Sequence, residues 1–116
     1  MNTTMKNWIV LLALPLAAMA SAGAHAGGDA AAGEQKSAPC ATCHGADGNS
    51  PNPQFPHLAG QHADYIVKAL EDYKNGLRKN PIMSGFAAPL SKQDREDLAA
   101  FFASQKGKLT VIESFR

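Results

Sequence analysis

Both cysteines of this sequence lie in one short motif. Cys40 and Cys43 are separated by two residues, and His44 follows directly. Two thiols at this spacing can each add to one of the two vinyl groups of a haem, and a histidine next in sequence would then lie beneath the iron as an axial ligand. The motif Cys40-Ala41-Thr42-Cys43-His44 therefore predicts covalent attachment of one haem c.

Three other kinds of site also use two cysteines at this spacing. A thioredoxin-like redox pair requires a neighbouring βαβ pattern, and no strand pattern precedes Cys40. A structural zinc site would need His57 or His62 to join the motif, but a second ligand pair at zinc-finger spacing is absent. A plain disulfide is conceivable in an exported protein. None of these explains a histidine directly after Cys43, so haem attachment is the favoured interpretation.

Met83 is the favoured second axial ligand. The other three methionines lie within residues 1–26, and Met83 follows His44 at a distance that allows it to reach the opposite haem face. A lone methionine is more often a core filler, but a methionine in a loop of a chain with a haem motif is a typical ligand. His57 and His62 are the rivals, and both are expected to lie at the surface.

Residues 1–26 have the pattern of a cleaved secretory signal peptide. Lys6 supplies a positive charge, Trp8 to Ala20 is an apolar stretch, and Ala24-His25-Ala26 offers an A-x-A cleavage site. The apolar stretch is short for a membrane-spanning helix, which makes an uncleaved anchor the weaker alternative. We therefore expect export to the periplasm and a mature domain of residues 27–116.

The charge balance excludes one class of partner. The whole chain has 11 Lys and Arg against 10 Asp and Glu, and removal of Lys6 with the signal leaves the mature chain formally neutral. A nucleic-acid partner is not expected, because such proteins carry an excess of basic charge. Basic residues concentrate in the middle of the chain and acidic residues near its end. We interpret the two groups as solvated helix faces, with a docking patch as the alternative.

The sequence of the first half of the mature chain predicts a helix followed by loops. Asp29 can cap an Ala-rich helix that Pro39 should end or kink. The density of Gly and Pro from Gly45 to Gly60 allows only turns and loops. No segment has the pattern of a strand, so the domain is predicted to be all-α.

The second half contains two more helices. Ile66, Ala69, Leu70 and Tyr73 fall on one helical face, and Gly76 follows as a C-cap. Leu77 to Leu90 is predicted to be a loop. Ser91 to Asp94 then opens a last helix with a capping box, and its apolar face carries Leu98, Phe101 and Phe102. On that face Arg95 is expected to pack its stem while its guanidinium reaches water. The tail Leu109 to Arg116 is left unassigned.

In the order of its motifs the chain resembles the class I c-type cytochromes of the small bacterial type. It is similar to cytochrome c-553 and to single domains of the related two-haem cytochromes. The resemblance covers nearly the whole mature chain, and the residues that carry it are Cys40-Ala41-Thr42-Cys43-His44-Gly45, Phe55-Pro56-His57-Leu58-Ala59-Gly60-Gln61, Pro81-Ile82-Met83 and the segment from Leu90-Ser91 through Ser104.

The resemblance implies roles for individual residues. His44 and Met83 would be the axial ligands, and the Pro56 carbonyl would accept a hydrogen bond from the His44 ring, which fixes its tautomer. Leu58 would pack on the haem. The first and last helices would cross beside it, with loops wrapping the cofactor. Arg78 and Gln61 are candidates for contact with the haem propionates.

The implied function is that of a single-electron carrier and not of an enzyme. Two axial side chains leave no iron position for oxygen or peroxide. The expected partners are membrane respiratory complexes or periplasmic oxidoreductases, met in transient complexes by a monomer whose haem edge lies in a largely uncharged rim. The alternatives are an electron-entry subunit of a larger oxidoreductase complex and, if Met83 is not a ligand, a gas-binding or peroxidatic haem protein.

Overall fold

The computed structural model describes residues 27–108, and within this range all regular structure is helical. The five helices are α1 (Ala30–Lys36), α2 (Ala38–His44), α3 (Ala63–Asn75), α4 (Pro81–Ala87) and α5 (Lys92–Ser104). No strand occurs between residues 27 and 108, which agrees with the predicted all-α class. None of the described helices is long and apolar enough to cross a membrane. The predicted signal peptide and the tail from Leu109 lie outside the described residues.

The first predicted helix is two helices separated at Ser37. The Asp29 carboxylate caps α1 as expected, accepting hydrogen bonds from the Ala31 and Ala32 N–H groups at 2.8 and 3.1 Å. Helix α1 then ends at Lys36, before Pro39, and Pro39 lies in the first turn of α2. Proline is tolerated there because N–H groups in the first turn have no partner within the helix. The first helix is therefore interrupted just before Pro39, as predicted, and Pro39 lies at the start of the helix that carries the Cys-x-x-Cys-His motif.

The caps predicted for the two longer helices are confirmed. Gly76 ends α3 in the left-handed conformation, with φ of 75°. At the start of α5, the Ser91 hydroxyl accepts from the Asp94 N–H at 3.0 Å and the Asp94 carboxylate accepts from the Ser91 N–H at 2.9 Å. Each pair satisfies an N–H that the helix itself leaves free.

The segment predicted as a loop from Leu77 to Leu90 contains helix α4. The Asn80 side chain accepts hydrogen bonds from the N–H groups of Ile82 and Met83, both at 3.1 Å, and Pro81 occupies the first helical position. Asparagine at the N-cap followed by proline is a favourable helix start. The loop prediction was therefore wrong, because Asn80 and Pro81 begin a helix within this segment.

Helix α5 is the centre of the packing. The core consists of Ile66 from α3 with Leu98, Ala99, Phe101 and Phe102 from α5. The rings of Phe101 and Phe102 are tilted by 57° with centroids 5.0 Å apart, a favourable aromatic arrangement.

Helices α1 and α5 meet at Gly33, as the resemblance implies for the first and last helices. A Cβ atom on Gly33 would lie 2.0 Å from the Asp97 carbonyl oxygen and 2.8 Å from the Phe101 Cβ. Both neighbours belong to the body of α5 and cannot rotate away. The close approach of the two helices therefore requires glycine at this position.

We expect Gly33→Ala to lower the free energy of unfolding by about 1–3 kcal/mol, because the added methyl group forces α1 away from α5. The measurement is the guanidinium unfolding midpoint of the haem-loaded protein. Gly85→Ala in α4 is the control, since its added Cβ would contact no other part of the described residues outside its own helix. Equal midpoints for Gly33→Ala and wild type would contradict the helix crossing.

Arg95 is buried, so its guanidinium does not reach water as expected. The side chain is 8 % exposed, and Nη1 donates a hydrogen bond to the Leu90 carbonyl at 3.1 Å. Arg95 thus ties the body of α5 to the chain segment that leads into it.

A buried carboxylate joins α1 to α5. Asp97 is 3 % exposed and accepts hydrogen bonds from the Asp29 N–H and the Gln93 side chain at 2.8 Å and from Lys36 Nζ at 2.6 Å. These donors, the Asp29 N–H first among them, hold the pKa of Asp97 below its usual value. Lys36 also pairs with Asp94 at 2.8 Å. The ionised form of Asp97 is therefore the form that stabilises the fold.

The lowered pKa of Asp97 predicts the pH dependence of its contribution. A carboxylate whose pKa is lower in the folded state stabilises above the unfolded pKa of about 3.9, and the contribution disappears as pH falls through the folded pKa. Asp97→Asn should cost about 2 kcal/mol at pH 7, since it removes a charged acceptor of three hydrogen bonds. The difference in unfolding free energy between Asp97→Asn and wild type, measured by guanidinium unfolding, should be smaller at low pH than at pH 7. Glu34→Gln, an exposed site on α1, should show no such difference.

Candidate functional site

An apolar cavity opens between α2, α3 and α4, with α5 beneath it. All six residues predicted to bind the cofactor line this cavity, namely Cys40, Cys43, His44, Pro56, Leu58 and Met83. Helices α3 and α5 contribute aliphatic and aromatic side chains to its wall, among them Ile66, Leu70, Leu98 and Phe102. The structure thus brings the predicted site residues together around one largely apolar space.

Helix α2 forms one wall of the cavity. Cys40 and Cys43 are one helical turn apart, so their side chains lie on the same face, and His44 ends the helix. The Cys43 carbonyl accepts a hydrogen bond from the Ser50 hydroxyl at 3.1 Å, which joins the following loop to this wall. Because α2 is a regular helix, the spacing of the motif becomes a fixed spacing of the two sulfur atoms.

The His44 ring is held by the loop that follows α2. His44 is 5 % exposed, and its Nδ1 lies 2.8 Å from the Pro56 carbonyl oxygen. A carbonyl can only accept, so Nδ1 carries the proton and Nε2 keeps its lone pair. This is the contact that the resemblance implies. It leaves Nε2 as the ring atom that can bind a metal ion.

Close backbone contacts fix the position of Leu58. The Gly48 carbonyl accepts hydrogen bonds from the Leu58 and Ala59 N–H groups at 2.8 and 3.1 Å. Gly48 has φ of 78°, and a Cβ on it would lie 2.8 Å from a ring carbon of Phe102. Only glycine suits this backbone conformation and this space. The loop that contains Gly48 and Leu58 therefore packs closely against α5, and Leu58 lines the cavity.

Helix α4 forms the wall that carries Met83. The Asn80 cap holds the Met83 N–H directly, so the start of the helix sets the position of this residue. Met83 is half-buried, and Ile82 and Phe86 line the cavity beside it. A thioether on a capped helix is a better-positioned ligand than one in the loop that the sequence suggested.

The two rival histidines lie in different places. His62 is the exposed N-cap residue of α3 and does not line the cavity. His57, which was expected at the surface, is half-buried and lines the cavity, and its Nδ1 is buried without a hydrogen-bond partner among residues 27–108. The surface assignment of His57 is therefore wrong. Its position between Pro56 and Leu58, both of which face the site, was the signal for this.

Polar groups gather at the α3 side of the cavity mouth. The Arg78 guanidinium lies over the Tyr73 ring, 4.8 Å from its centroid, and interaction with the Tyr65 hydroxyl raises the pKa of Arg78 above its usual value. Gln61 also lines the cavity. Tyr65 was not predicted to be a site residue, although it lies one helical turn before Ala69 on a helix face that was already assigned to the core. The cluster provides a fixed positive charge beside an apolar space.

The competing interpretations of the cysteine pair find no support in residues 27–108. No group of three or more metal-binding side chains occurs in that range, and both cysteines are free thiols. The helical surroundings lack the βαβ unit of a thioredoxin-like site. Burial raises the pKa of the Cys40 thiol, which disfavours the thiolate that redox exchange requires.

Comparison with known proteins gives consistent matches. A family model described as cytochrome c matches residues 30–106. Cytochrome c4 of Pseudomonas aeruginosa is 58% identical over 83 residues, which are 72% of this chain and 41% of that protein. Cytochrome c-554(548) of Halomonas halodenitrificans is 43% identical over 82 residues, which are 68% of this chain and 99% of that protein.

A solved structure has the same fold. The crystal structure of reduced recombinant cytochrome c4 from Pseudomonas stutzeri superposes with a TM-score of 0.67 at 52% identity, covering 71% of this chain and 48% of that one. This chain therefore spans about half the length of the cytochrome c4 proteins it matches. The predicted class I fold is confirmed by this superposition.

Proposed function

Because this chain belongs to the cytochrome c family, we propose that it binds one haem covalently and carries single electrons between redox proteins in the periplasm. The observation that carries the proposal is the shared cavity. Both cysteines, a histidine with a fixed tautomer and a thioether line one apolar space. The donor set fits a haem iron, which takes imidazole and thioether as axial ligands.

The cysteines supply the attachment. Each S–H would add across one vinyl double bond, with sulfur bonded to one carbon and hydrogen to the other, so nothing leaves. A bond at Cys40 and another at Cys43 would then hold the group against α2. Covalent attachment keeps the cofactor in place in the periplasm and also staples a small domain.

The axial residues determine the type of chemistry. A haem held here supplies one iron that gains and loses a single electron. His44 Nε2 and the Met83 sulfur would occupy both axial positions, which excludes dioxygen and peroxide. The apolar side chains of α3 and α5 that line the cavity would keep water away from the iron. A rigid apolar site of this kind changes little between oxidation states and therefore suits a carrier.

Arg78 would hold a propionate at the cavity mouth. Replacement by glutamine removes a positive charge beside the site and so stabilises the oxidised, more positive form. We expect Arg78→Gln to lower the midpoint potential by some tens of millivolts, measured by redox titration. Lys92→Gln, on the outer face of α5, should leave the potential unchanged; equal potentials for wild type and Arg78→Gln would place the propionates elsewhere.

The test of the proposed function is the intact mass of the exported protein. The full chain is produced in a bacterial host that attaches haem c, and the periplasmic fraction is purified and denatured. The expected mass is that of residues 27–116 plus one haem. A mass without haem after denaturation, or a protein that keeps residues 1–26, would contradict covalent attachment or cleavage after Ala26 respectively.

A further inference from the structure

We propose that Asn49 is a positioning residue for His44 and acts on it through the loop of residues 45–60. The Asn49 side chain joins this loop to the segment that follows α5, and so holds the carbonyl group that accepts from the His44 ring. The junction, which we name the Asn49 clamp, consists of Asp47, Asn49, Lys106 and Lys108. The inference rests on the proposed function, because the position of the His44 ring affects electron transfer only if that ring binds the iron.

The Asn49 side chain is buried, at 7% exposed, and uses all of its polar groups. Its Nδ2 donates to the Asp47 carboxylate at 2.8 Å and to the Lys106 carbonyl at 3.0 Å. Its Oδ1 accepts from the Lys108 N–H at 2.8 Å. A side-chain amide has two N–H donors and one oxygen acceptor, so asparagine matches this set of partners group for group. The clamp therefore fixes the backbone at residue 49 relative to the segment after α5.

The clamp reaches His44 through the fold of the loop. The carbonyl of Gly48, the residue before Asn49, accepts a hydrogen bond from the Leu58 N–H at 2.8 Å. Pro56 lies two residues before Leu58, and its carbonyl accepts from His44 Nδ1. A shift of the clamped backbone would therefore move the carbonyl that fixes the tautomer and the orientation of the ring.

The segment that follows α5 lies directly against the same loop. The Gly60 N–H donates to the carbonyl of Phe102, a core residue of α5, at 3.0 Å. A Cβ atom on Gly107 would lie only 2.8 Å from the Ala59 carbonyl oxygen. Because α5 supplies most of the buried core, it gives the clamp a rigid support.

A role in positioning the ring differs from a role in stability alone. The hydrogen bond that His44 Nδ1 donates to a carbonyl makes the imidazole a stronger electron donor to a metal ion. A stronger donor stabilises the oxidised iron, so a weaker bond to Pro56 should raise the midpoint potential. If Asn49 only stabilised the fold, its removal would leave the ring and the potential of the folded molecules unchanged.

The test compares Asn49→Ala with Asn52→Ala in the reduced, haem-loaded protein. Asn52 lies in the same loop but is exposed, and among the described residues its side chain makes one hydrogen bond, from the Gln54 N–H. The first measurement is hydrogen exchange of the His44 Nδ1–H by NMR. The amide N–H of Leu98, which is buried in the core, is the reference for opening of the whole domain. The second measurement is the midpoint potential.

In Asn49→Ala the exchange rate of the His44 Nδ1–H, divided by that of the Leu98 amide, should rise about 10-fold, because the loop opens locally. The midpoint potential should shift upward. Asn52→Ala should match wild type in both measurements.

Gly107→Ala is a second variant that disturbs the clamp from its other side. The added methyl group pushes the segment after α5 away from the loop but leaves the Asn49 side chain in place. It should show smaller changes of the same sign in the exchange ratio and in the potential. This variant keeps the proposal testable if Asn49→Ala does not fold.

An unchanged exchange ratio in a folded Asn49→Ala protein would overturn the proposal, since Asn49 would then contribute to stability alone. Equal changes in Asn49→Ala and Asn52→Ala would also overturn it, because any alteration of the loop would then have the same effect. His44 ring signals in wild type that lack the shift caused by a bound haem would contradict the proposed function itself. The two failures are therefore distinguishable.

Discussion

Met83→Ala is expected to open the iron to carbon monoxide and to lower the midpoint potential by on the order of 100 mV or more. As the proposed iron ligand, the Met83 thioether would favour the reduced iron, and its removal would leave one position on the iron without a protein ligand. His57 is the other imidazole at the cavity, but it lies in the loop that follows α2 and not on α4. The measurement is the visible spectrum of the reduced protein with and without carbon monoxide, together with a redox titration.

Two further variants separate loss of the sulfur from loss of packing. Met83→Leu keeps the volume of the side chain but removes the thioether, so it should behave like Met83→Ala in both measurements. Ile82→Ala changes the neighbouring residue of the same helix, which also lines the cavity. It should keep the wild-type response to carbon monoxide. If the Met83→Ala protein does not bind carbon monoxide and keeps the wild-type midpoint potential, Met83 is not a ligand of the iron.

Cys40→Ala/Cys43→Ala is expected to abolish covalent haem completely, because these are the only cysteines in the chain. The haem should then separate from the polypeptide on a denaturing gel, where wild type retains it. Each single variant can still form one thioether and should keep one haem by intact mass. If the double variant does not accumulate, the haem content of the two single variants tests whether each cysteine can form a thioether.

Thr42→Ala is the matched control for the cysteine variants. Thr42 lies between the two cysteines in α2 but is exposed, and it does not line the cavity. It should therefore keep haem bound in the denatured protein. Retention of haem by the double cysteine variant would show that attachment does not use this motif.

Local signals in the sequence correctly predicted the two long helices, the end of α3 and the start of α5. The capping box at Ser91 and Asp94 and the left-handed Gly76 follow from the backbone chemistry of a few adjacent residues. Such signals do not depend on the rest of the fold. The spacing of the cysteine motif is local in the same sense, and α2 presents it as a regular helical turn.

Other features were missed. Helix α4 begins with a local signal, the Asn80 cap followed by Pro81, but it contains Ser84 and Gly85, which are weak helix formers, and its packing against α3 is not visible in the sequence. The burial of Arg95 was also missed, although the Leu90 carbonyl that accepts from its guanidinium lies only five residues earlier in the chain. The burial of His57 was missed although its neighbours Pro56 and Leu58 were both predicted to face the site, and the structure shows that His57 lines the cavity with them.

The most direct test of the central claim is a spectroelectrochemical titration of the wild-type protein, followed by addition of carbon monoxide to the reduced form. A carrier with His44 and Met83 on the iron should titrate as a single one-electron couple and leave the reduced spectrum unchanged by carbon monoxide. Ready binding of carbon monoxide by wild type would show an open iron position. The protein would then be a gas-binding or peroxidatic haem protein and not an electron carrier.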